Sequence, residues 1–285
     1  MENKKIGFIA GAFDMFNIGH LNMLRNAKEQ CDSLVVGVFS DIFCESKDNK
    51  TNIINENDRK AIVSAIRYVD HVVLLEDEDV FFSIKKYSVN LLFVDRATIE
   101  GGVWGKYVEG LAARGFDVKL LDFEEYSSYN MPMYSNNSLS DIIEDREVNV
   151  IGYTTGVFDM FHIGHLNILR RAKEHCSYLI VGVSTDENVQ SYKHKTPVVP
   201  FRERAAIVSA IRYVDKVVPQ ENMDKFAAWQ RLRFDEMYHG DDWKGSLMFE
   251  EIERKLSSVG CKMVFLSHTE GISSSILREH IKKNN

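Results

Sequence analysis

The sequence predicts an α/β protein with two doubly wound parallel-sheet domains in tandem. The first observation is a repeat with an offset of 145 residues: GAFDMFNIGHLNMLRNAKEQC at 11–31 corresponds to GVFDMFHIGHLNILRRAKEHC at 156–176. The decapeptide AIVSAIRYVD also occurs twice, at 61–70 and 206–215. The second observation is that short β-branched runs alternate with helical patterns, which is typical of a parallel sheet. A repeat of this length indicates a duplicated domain.

The expected boundaries follow from this repeat. We predict a first domain over residues 1–127, a linker over 128–147 and a second domain over 148–285. The linker is predicted because it is polar and rich in Ser and Asn. In the second copy we predict strands at 149–155, 178–185, 216–219, 235–240 and 261–267, and helices from the His-x-Gly-His segment onward and at 200–214, 224–232, 249–257 and 273–283.

Composition and charge narrow the class of protein. Of the 285 residues, 45% are hydrophobic, yet no segment approaches the length of a membrane span and no signal peptide is evident. We therefore expect a cytoplasmic protein that does not bind membranes. Residues 1–145 carry 15 basic and 24 acidic side chains, whereas residues 146–285 carry 20 and 18. No basic stripe with interleaved aromatic residues is present, so nucleic-acid binding is not expected.

The segment GVFDMFHIGH, residues 156–165, is the strongest local signal. It connects a β-branched run to a helical pattern, so His162 and His165 fall at the start of a helix and on one face of it. Gly164 lets a ligand approach the backbone, and the free N–H groups of a helix start favour anions. The pattern therefore predicts a polyphosphate site. A lone histidine at this position would instead indicate a capping or packing residue.

Five motifs in order carry a family resemblance. They are GVFDMFHIGH at 156–165, VGVSTDE at 181–187, RYVDKVVP at 212–219, HGDDWKG at 239–245 and HTEGISSS at 268–275. With them, the second half resembles the glycerol-3-phosphate cytidylyltransferases of the HxGH nucleotidyltransferase superfamily. The resemblance implies Rossmann-like domains that transfer CMP from CTP to a small phosphorylated alcohol. Glycerol phosphate is the best match, and the products would be pyrophosphate and a CDP-alcohol for a cell-surface polymer.

The resemblance also implies roles for individual residues. The expected catalytic residues are His162, His165, Lys195 and Arg212. The expected nucleotide-binding residues are Gly156, Phe158, Asp159, Gly164, Lys193, Asp242, His268, Thr269, Ser273 and Ser274. The expected acceptor-binding residues are Arg204, Asp215 and Trp243. Mg²⁺ is the implied cofactor, held chiefly by the phosphates of CTP with Asp159 as its protein ligand. Without the resemblance, Lys193 and Lys195 fit a solvated loop equally well, and Arg212 fits a charge at a helix end.

Two departures from the family pattern bear on these expectations. His268 stands where the pattern has arginine, so phosphate binding there depends on a side chain that is largely neutral at pH 7. The first copy has Asn17 in place of the first histidine, DRAT at 95–98 in place of GDDW, and FEEYSSYN at 123–130 in place of HTEGISSS. Lys50, Arg59 and Arg67 remain. We expect the first copy to have kept its core and lost its chemistry.

Other functions stay open at this level. The acceptor can be phosphoethanolamine, because tandem domains also occur in enzymes that resemble phosphoethanolamine cytidylyltransferase. An adenylyltransferase of the same superfamily is a second alternative, and a nucleotide-binding regulator is an alternative of another class. Because AIVSAIRYVD and the FDMF core persist in both copies, we expect the halves to form an intramolecular pseudo-dimer, with further homo-oligomers open.

Overall fold

The computed structural model describes residues 4–48, 51–76, 79–95, 103–121 and 149–284. The chain divides into two compact units, residues 1–129 with 279–285, and residues 130–278. Each unit contains a five-stranded parallel sheet, which confirms the α/β class and the tandem arrangement. The linker expected at 128–147 and the first-copy segment at 123–130 lie outside the described residues, so the predicted domain boundaries stay predictions.

The first sheet has the strand order β3-β2-β1-β4-β5. Its elements, in chain order, are β1 Ile6–Gly11, α1 Ile18–Glu29, β2 Ser33–Phe39, α2 Asp41–Asp48, α3 Glu56–Ser64, β3 His71–Leu75, α4 Asp79–Lys86, β4 Leu91–Asp95, α5 Val103–Ala112 and β5 Asp117–Leu121.

The second sheet has the equivalent order β10-β9-β6-β7-β8. Its elements are β6 Ile151–Gly156, α6 Ile163–His175, β7 Tyr178–Ser184, α7 Asp186–Lys193, α8 Phe201–Ala210, β8 Lys216–Gln220, α9 Lys225–Leu232, β9 Glu236–Gly240, α10 Leu247–Ser257, β10 Lys262–Leu266 and α11 Ser274–Asn284. The chain starts at the central strand β6, proceeds to one edge, and returns to pair β9 with β6. This reversal of strand order creates a crevice at the carboxyl ends of β6 and β9.

Two predicted elements of the second copy differ from the structure. The helix expected at 200–214 ends at Ala210, and the next residues form a turn into β8. The segment expected to be a loop around Lys193 belongs in part to α7, which was not predicted. Thr185 explains this helix, because its hydroxyl oxygen accepts a hydrogen bond from Asn188 N and caps the first turn. The helix ends at Lys193, and the C-cap residue His194 has a left-handed backbone (φ +52°).

The hydrophobic core of the second unit packs against β6 and β9. Tyr153 and Phe234 stack with their ring centroids 4.6 Å apart, and Met237 and Phe249 are buried beside them. Burial of such side chains stabilises a fold by about 1.5–3 kcal/mol each. This core fixes the strands whose carboxyl ends carry the functional groups. Within the described residues, no helix is long and apolar enough to cross a membrane.

The turn that follows the first strand of each sheet contains residues with left-handed backbone. Phe158 and Met160 have φ of +55° and +48°, and their counterparts Phe13 and Met15 have +53° and +46°. Bulky side chains disfavour this region, and each such residue costs about 1–3 kcal/mol. The strained turn is therefore a property of the fold that both units share.

Candidate functional site

The site in the second unit begins at the N-terminus of α6. His162 is the N-cap residue, and its Nδ1 accepts a hydrogen bond from Gly164 N at 3.1 Å. Because Nδ1 is an acceptor, the proton of the neutral ring is on Nε2, which can act as a donor and lies 3.5 Å from Ser274 Oγ. A Cβ atom at Gly164 would lie 3.0 Å from the His162 ring, so the glycine allows this close approach.

His162 and His165 form one stacked pair. Their ring centroids are 3.8 Å apart with an interplanar angle of 25°, and Phe158 contacts the His165 ring edge-on. Burial lowers the pKa of His162 to about 4 and places the pKa of His165 well below its usual value. His165 Nδ1 is buried and has no hydrogen-bond partner in the described chain. Both rings are thus neutral at pH 7 and can donate hydrogen bonds to an anion without carrying charge.

A cavity of about 380 Å³ opens in front of this pair, and its size is that of a typical small-molecule site. The structure brings nine of the expected site residues to its wall: His162, Gly164, His165, Lys193, Asp242, His268, Thr269, Ser273 and Ser274. Sequence analysis did not assign the other lining residues, which include Ile168, His239 and Ile272.

The cavity contains one charged amine from α7. Lys193 is in the last turn of that helix, and its amine lies 5.6 Å from the centroid of the Tyr192 ring. Burial lowers its pKa, and the positive charges of Arg278 and Lys195 lower it further. A cation next to neutral histidines is suited to a triphosphate, since an ammonium binds phosphate as a point charge.

Hydroxyl groups before and at the start of α11 also line the cavity. Ser274 Oγ donates a hydrogen bond to the carbonyl oxygen of Asp159 at 2.8 Å and lies 3.5 Å from His162 Nε2. Ser273 Oγ accepts from Ile276 N, as an N-cap does. Thr269 Oγ1 accepts from Asn167 Nδ2 at 3.1 Å. The wall therefore combines hydroxyls with the N-terminus of a helix, the combination that holds phosphate or ribose oxygens.

His268 lies at the edge of the same wall. Its backbone N donates to Asp241 Oδ1 at 3.0 Å, and its exposed side chain reaches the cavity. A positive charge on His268 also lowers the pKa of His162. His268 therefore faces the site.

Arg204 is not among the residues that line the cavity, and its expected role in acceptor binding stays a prediction. Its side chain is fully buried, donates from Nε to Val199 O at 2.8 Å, contacts Val157 O and pairs with Asp186 Oδ1 at 2.6 Å. In the first unit Arg59 makes the same set of contacts, to Ile54 O, Ala12 O and Asp41. A contact that persists in a copy with an altered site is structural.

Asp215 likewise binds the framework instead of a ligand. It accepts from Leu179 N at 2.8 Å and from Lys173 Nζ at 2.5 Å, where β7 begins, at the edge opposite the cavity. Asp70 repeats this arrangement with Leu34 and Lys28 in the first unit.

Arg212, expected to be catalytic, is exposed in the turn that leads into β8. The structure does not place it on the cavity wall. The RYVD motif in this unit thus holds a helix and two strands together.

Asp159 lies behind the cavity. It is 3% exposed, and its carboxylate accepts hydrogen bonds from Val198 N at 3.0 Å and Val199 N at 2.9 Å and pairs with Arg278 at 2.5 Å. Both oxygens are thus engaged by the protein. Within the described residues, no group of three or more His, Cys, Asp or Glu side chains could hold a metal ion. The residues present do not fit a resident Mg²⁺ site.

The remaining expected residues have varied positions. Lys195 is exposed and is not part of the cavity wall. Gly156 ends β6, and a Cβ there would lie 3.0 Å from the Phe158 ring, so both residues shape the turn. Trp243 ends a short 3-10 helix, and its side chain lies outside the part of the chain whose side chains the structure describes.

Lys225, at the start of α9, is a candidate residue that sequence analysis missed. It is 3% exposed and makes no hydrogen bond or ion pair within the described residues. Burial lowers its pKa to about 8, and its charge lowers the pKa of the cavity residue His239. It lines a pocket of about 90 Å³ that also includes Tyr153, Gln220, Asn222 and Arg231. The negative charge of Asp224 partly opposes the effect of burial on this amine. A buried cation is costly, and an anionic ligand would offset part of that cost.

Comparison with known proteins places this geometry in context. The family model described as cytidylyltransferase-like matches residues 8–144 and 153–280. Glycerol-3-phosphate cytidylyltransferase of Bacillus subtilis (strain 168) is 38% identical over 136 residues, which are 45% of this chain and 94% of that protein. Ethanolamine-phosphate cytidylyltransferase of Dictyostelium discoideum is 27% identical over 339 aligned positions, covering 97% of this chain and 90% of that protein. FAD synthase of Pyrococcus horikoshii is 40% identical over 120 residues, covering 41% of this chain and 76% of that protein.

Proposed function

The chain belongs to the cytidylyltransferase-like family, and we propose that its second unit transfers CMP from CTP to glycerol phosphate. As a member of this family it is a CTP-dependent nucleotidyltransferase. The observation that carries the proposal is the stacked pair His162–His165, which lies with Lys193 on the wall of one cavity of about 380 Å³.

The reaction needs no nucleophile from the enzyme. An oxygen of the acceptor phosphate attacks the α-phosphorus of CTP, a new P–O bond forms, and the bond to the β-phosphate oxygen breaks as pyrophosphate leaves. His162 Nε2–H, His165 and Lys193 hold the triphosphate in line and stabilise the charge that develops. Neutral histidine donors cost little to bury before the substrate arrives, and the phosphates raise their pKa values once bound.

The acceptor phosphate fits the pocket that contains Lys225. Its amine has no protein partner in the described chain, and Gln220 and Asn222 can hydrogen-bond the hydroxyl groups of a polyol. His239 lines the cavity of the histidine pair; burial lowers its pKa, and the positive charge of Lys225 lowers it further. This arrangement supports binding of the two substrates side by side.

A second acceptor is favoured by one specific observation. The relative from Dictyostelium discoideum that covers 97% of this chain is an ethanolamine-phosphate cytidylyltransferase, so ethanolamine phosphate is the alternative acceptor. The similarity to FAD synthase covers 41% of the chain, so ATP should be tested as an alternative nucleotide substrate. A nucleotide-binding regulator without turnover is the alternative of another class.

A pyrophosphate-release assay separates these alternatives. The protein is incubated with CTP or ATP and with glycerol phosphate, ethanolamine phosphate or no acceptor. We expect release only with CTP and an acceptor, and the highest kcat/KM with glycerol phosphate. A higher kcat/KM with ethanolamine phosphate would identify ethanolamine phosphate as the acceptor in place of glycerol phosphate. Release with ATP and an acceptor, but not with CTP, would identify ATP as the nucleotide substrate. Binding of CTP without pyrophosphate release under any condition would indicate a regulator.

We propose that Mg²⁺ enters as part of the CTP substrate and not as a resident cofactor. The carboxylate of Asp159 is already engaged, whereas Mg²⁺ characteristically binds substrate phosphates and keeps several waters. Excess chelator should abolish pyrophosphate release, and added Mg²⁺ should restore it. Full turnover in excess chelator would contradict this proposal.

We also propose that the two halves associate as an intramolecular pseudo-dimer. The support is in the sequence, where AIVSAIRYVD persists unchanged in both copies. The second half expressed alone from about Arg146 should self-associate or lose stability and turnover. A fully active, stable monomer of that fragment would contradict the proposal.

A further inference from the structure

Helix α11 contacts Asp159 at two atoms that lie one helical turn apart. Ser274 Oγ donates to the Asp159 carbonyl oxygen at 2.8 Å, and the Arg278 guanidinium pairs with Asp159 Oδ2 at 2.5 Å. Residues 274 and 278 are on the same helix face because they are four positions apart. This face therefore holds α11 against the turn that precedes His162.

The same carboxylate holds a third segment. Val198 N and Val199 N donate to it at 3.0 and 2.9 Å. These two valines follow Lys193 and Lys195 in the chain. Asp159 thus joins the turn before α6, the segment after α7 and helix α11 around one cavity. A carboxylate that is 3% exposed has to be compensated, and these contacts supply two N–H donors and one cation.

The first unit shows which of these contacts folding requires. Asp14 accepts from Ile53 N at 2.8 Å and Ile54 N at 2.9 Å, as Asp159 does from its own valines. No cation pairs with Asp14 within the described residues. Asp14 also accepts from Met15 N at 3.0 Å, so three backbone donors hold its carboxylate in the part of the first unit that the structure describes. The arginine pairs with a carboxylate that is more deeply buried than Asp14, in the unit that has both histidines, and any role beyond this compensation needs an explanation.

Lys193 suggests that explanation. Its amine lines the cavity and forms no ion pair within the described residues, yet both Asp159 and Arg278 act on it electrostatically, the carboxylate attracting and the guanidinium repelling it. Without Arg278, the attraction of the buried Asp159 carboxylate for the Lys193 amine would no longer be opposed by the guanidinium. An amine paired with Asp159 would be lost to the phosphates of a ligand.

We propose that Arg278 is a positioning residue for nucleotide binding: by occupying the Asp159 carboxylate, it keeps the Lys193 amine available to the triphosphate. The inference rests on the proposed function, since it requires a nucleotide in the cavity of the histidine pair. Arg278 itself is not part of the cavity wall, so it acts through Lys193 and through the position of α11.

The test is a double-mutant cycle of CTP binding measured by calorimetry on the full-length protein. Arg278→Gln should weaken CTP binding about tenfold, the size expected for loss of one charged hydrogen bond to phosphate. In a Lys193→Gln background, the same change should have almost no further effect. Arg278→Lys should bind CTP within about threefold of wild type, because a lysine can still pair with the carboxylate. Arg202→Gln, at an exposed position on α8, is the control and should bind as wild type does.

Three outcomes would overturn the proposal. One is unchanged CTP affinity in Arg278→Gln. Another is an equal loss in the wild-type and Lys193→Gln backgrounds, which would show that Arg278 acts independently of Lys193. The third outcome applies if Arg278→Gln fails to fold, when Arg278→Lys is the variant that tests the proposal. A tenfold loss of CTP affinity in folded Arg278→Lys would overturn it. Absence of CTP binding by the wild-type protein would instead overturn the proposed function itself.

Discussion

The two units use different residues for one structural task, the capping of the helix that follows their first strand. In the second unit, His162 Nδ1 accepts from Gly164 N; in the first, Asn17 Oδ1 accepts from Gly19 N at 3.0 Å and His20 N at 3.2 Å. The helix begins at the equivalent residue in both units. Capping therefore does not require histidine. The histidine of the second unit also provides Nε2, which lies 3.5 Å from Ser274 Oγ, and both residues line the cavity.

The second histidine differs in a similar way. His20 Nδ1 accepts a hydrogen bond from Asn17 N at 3.3 Å, whereas His165 Nδ1 is buried and has no partner within the described chain. Burial lowers the pKa of His20 to about 4, so this ring is also neutral at pH 7. The first unit thus uses its histidine to complete a capping box, and the second unit stacks it on another histidine.

The largest expected effect tests what the two units share. Arg204→Gln and Arg59→Gln should each destabilise their own unit by about 3–5 kcal/mol, because each change removes a buried guanidinium that satisfies a carboxylate and two carbonyl oxygens. Denaturant unfolding measures both losses. A stable Arg204→Gln variant with a raised KM for the acceptor would instead assign Arg204 a role in acceptor binding.

The next effect tests where the units differ. His162→Asn copies the first unit into the second and should lower turnover about 10²–10³-fold, the usual consequence of removing one well-placed donor. The melting temperature should change little, since Asn17 shows that asparagine caps this helix. Asn17→His is the matched control and should leave turnover unchanged. In parallel, His165→Ala should lower turnover by orders of magnitude and His20→Ala should not; similar losses in both would show that the first unit also catalyses.

A smaller effect concerns pH. The pKa of His162 is about 4 in the folded protein, while an unfolded chain has about 6.5, so the unfolded state binds protons first as the pH falls. The stability this histidine contributes is complete above about pH 6.5 and decreases toward pH 4, with about 2 kcal/mol lost by pH 5. Unfolding free energies measured at pH 7 and pH 5 should therefore differ less in His162→Asn than in wild type. An identical difference in both proteins would contradict the burial of a neutral ring.

The smallest expected effect again concerns a shared contact. Asp215→Asn and Asp70→Asn each weaken a partly exposed bond to a lysine and should cost about 1 kcal/mol. Thermal unfolding should show similar shifts for the two variants, and the KM for the acceptor should not change. A severalfold rise in that KM with Asp215→Asn alone would assign Asp215 to the substrate.

Local sequence patterns predicted the fold and the centre of the site. The strands and most helices follow β-branched runs and helical periodicity, and the histidine pair lies within one ten-residue motif. Lys225 could not be found this way, because its burial results from packing between α9, β6 and β8. Nothing in its neighbours along the chain marks it as a buried cation.

The expectations for Arg204 and Asp215 can be compared with the first copy, because both residues contact the framework of the fold in the structure. Their counterparts Arg59 and Asp70 persist in the copy that lacks the first histidine, and a residue that persists without the chemistry indicates a structural role. Comparison of the two copies of the sequence therefore indicates a structural role for both residues. Helix α7 was missed because it is short and polar, although Thr185 is a capping residue and acidic residues follow it.

The exchange of cap residues also bears on how a duplicated enzyme gene changes over time. Histidine and asparagine codons differ only in their first base, so one substitution interconverts the residues seen at 162 and 17. Because asparagine satisfies the helix as histidine does, that substitution removes an imidazole N–H donor while the domain still folds. A copy relieved of selection for turnover can therefore lose activity in one step and persist as a folded partner, instead of being eliminated as a misfolded protein.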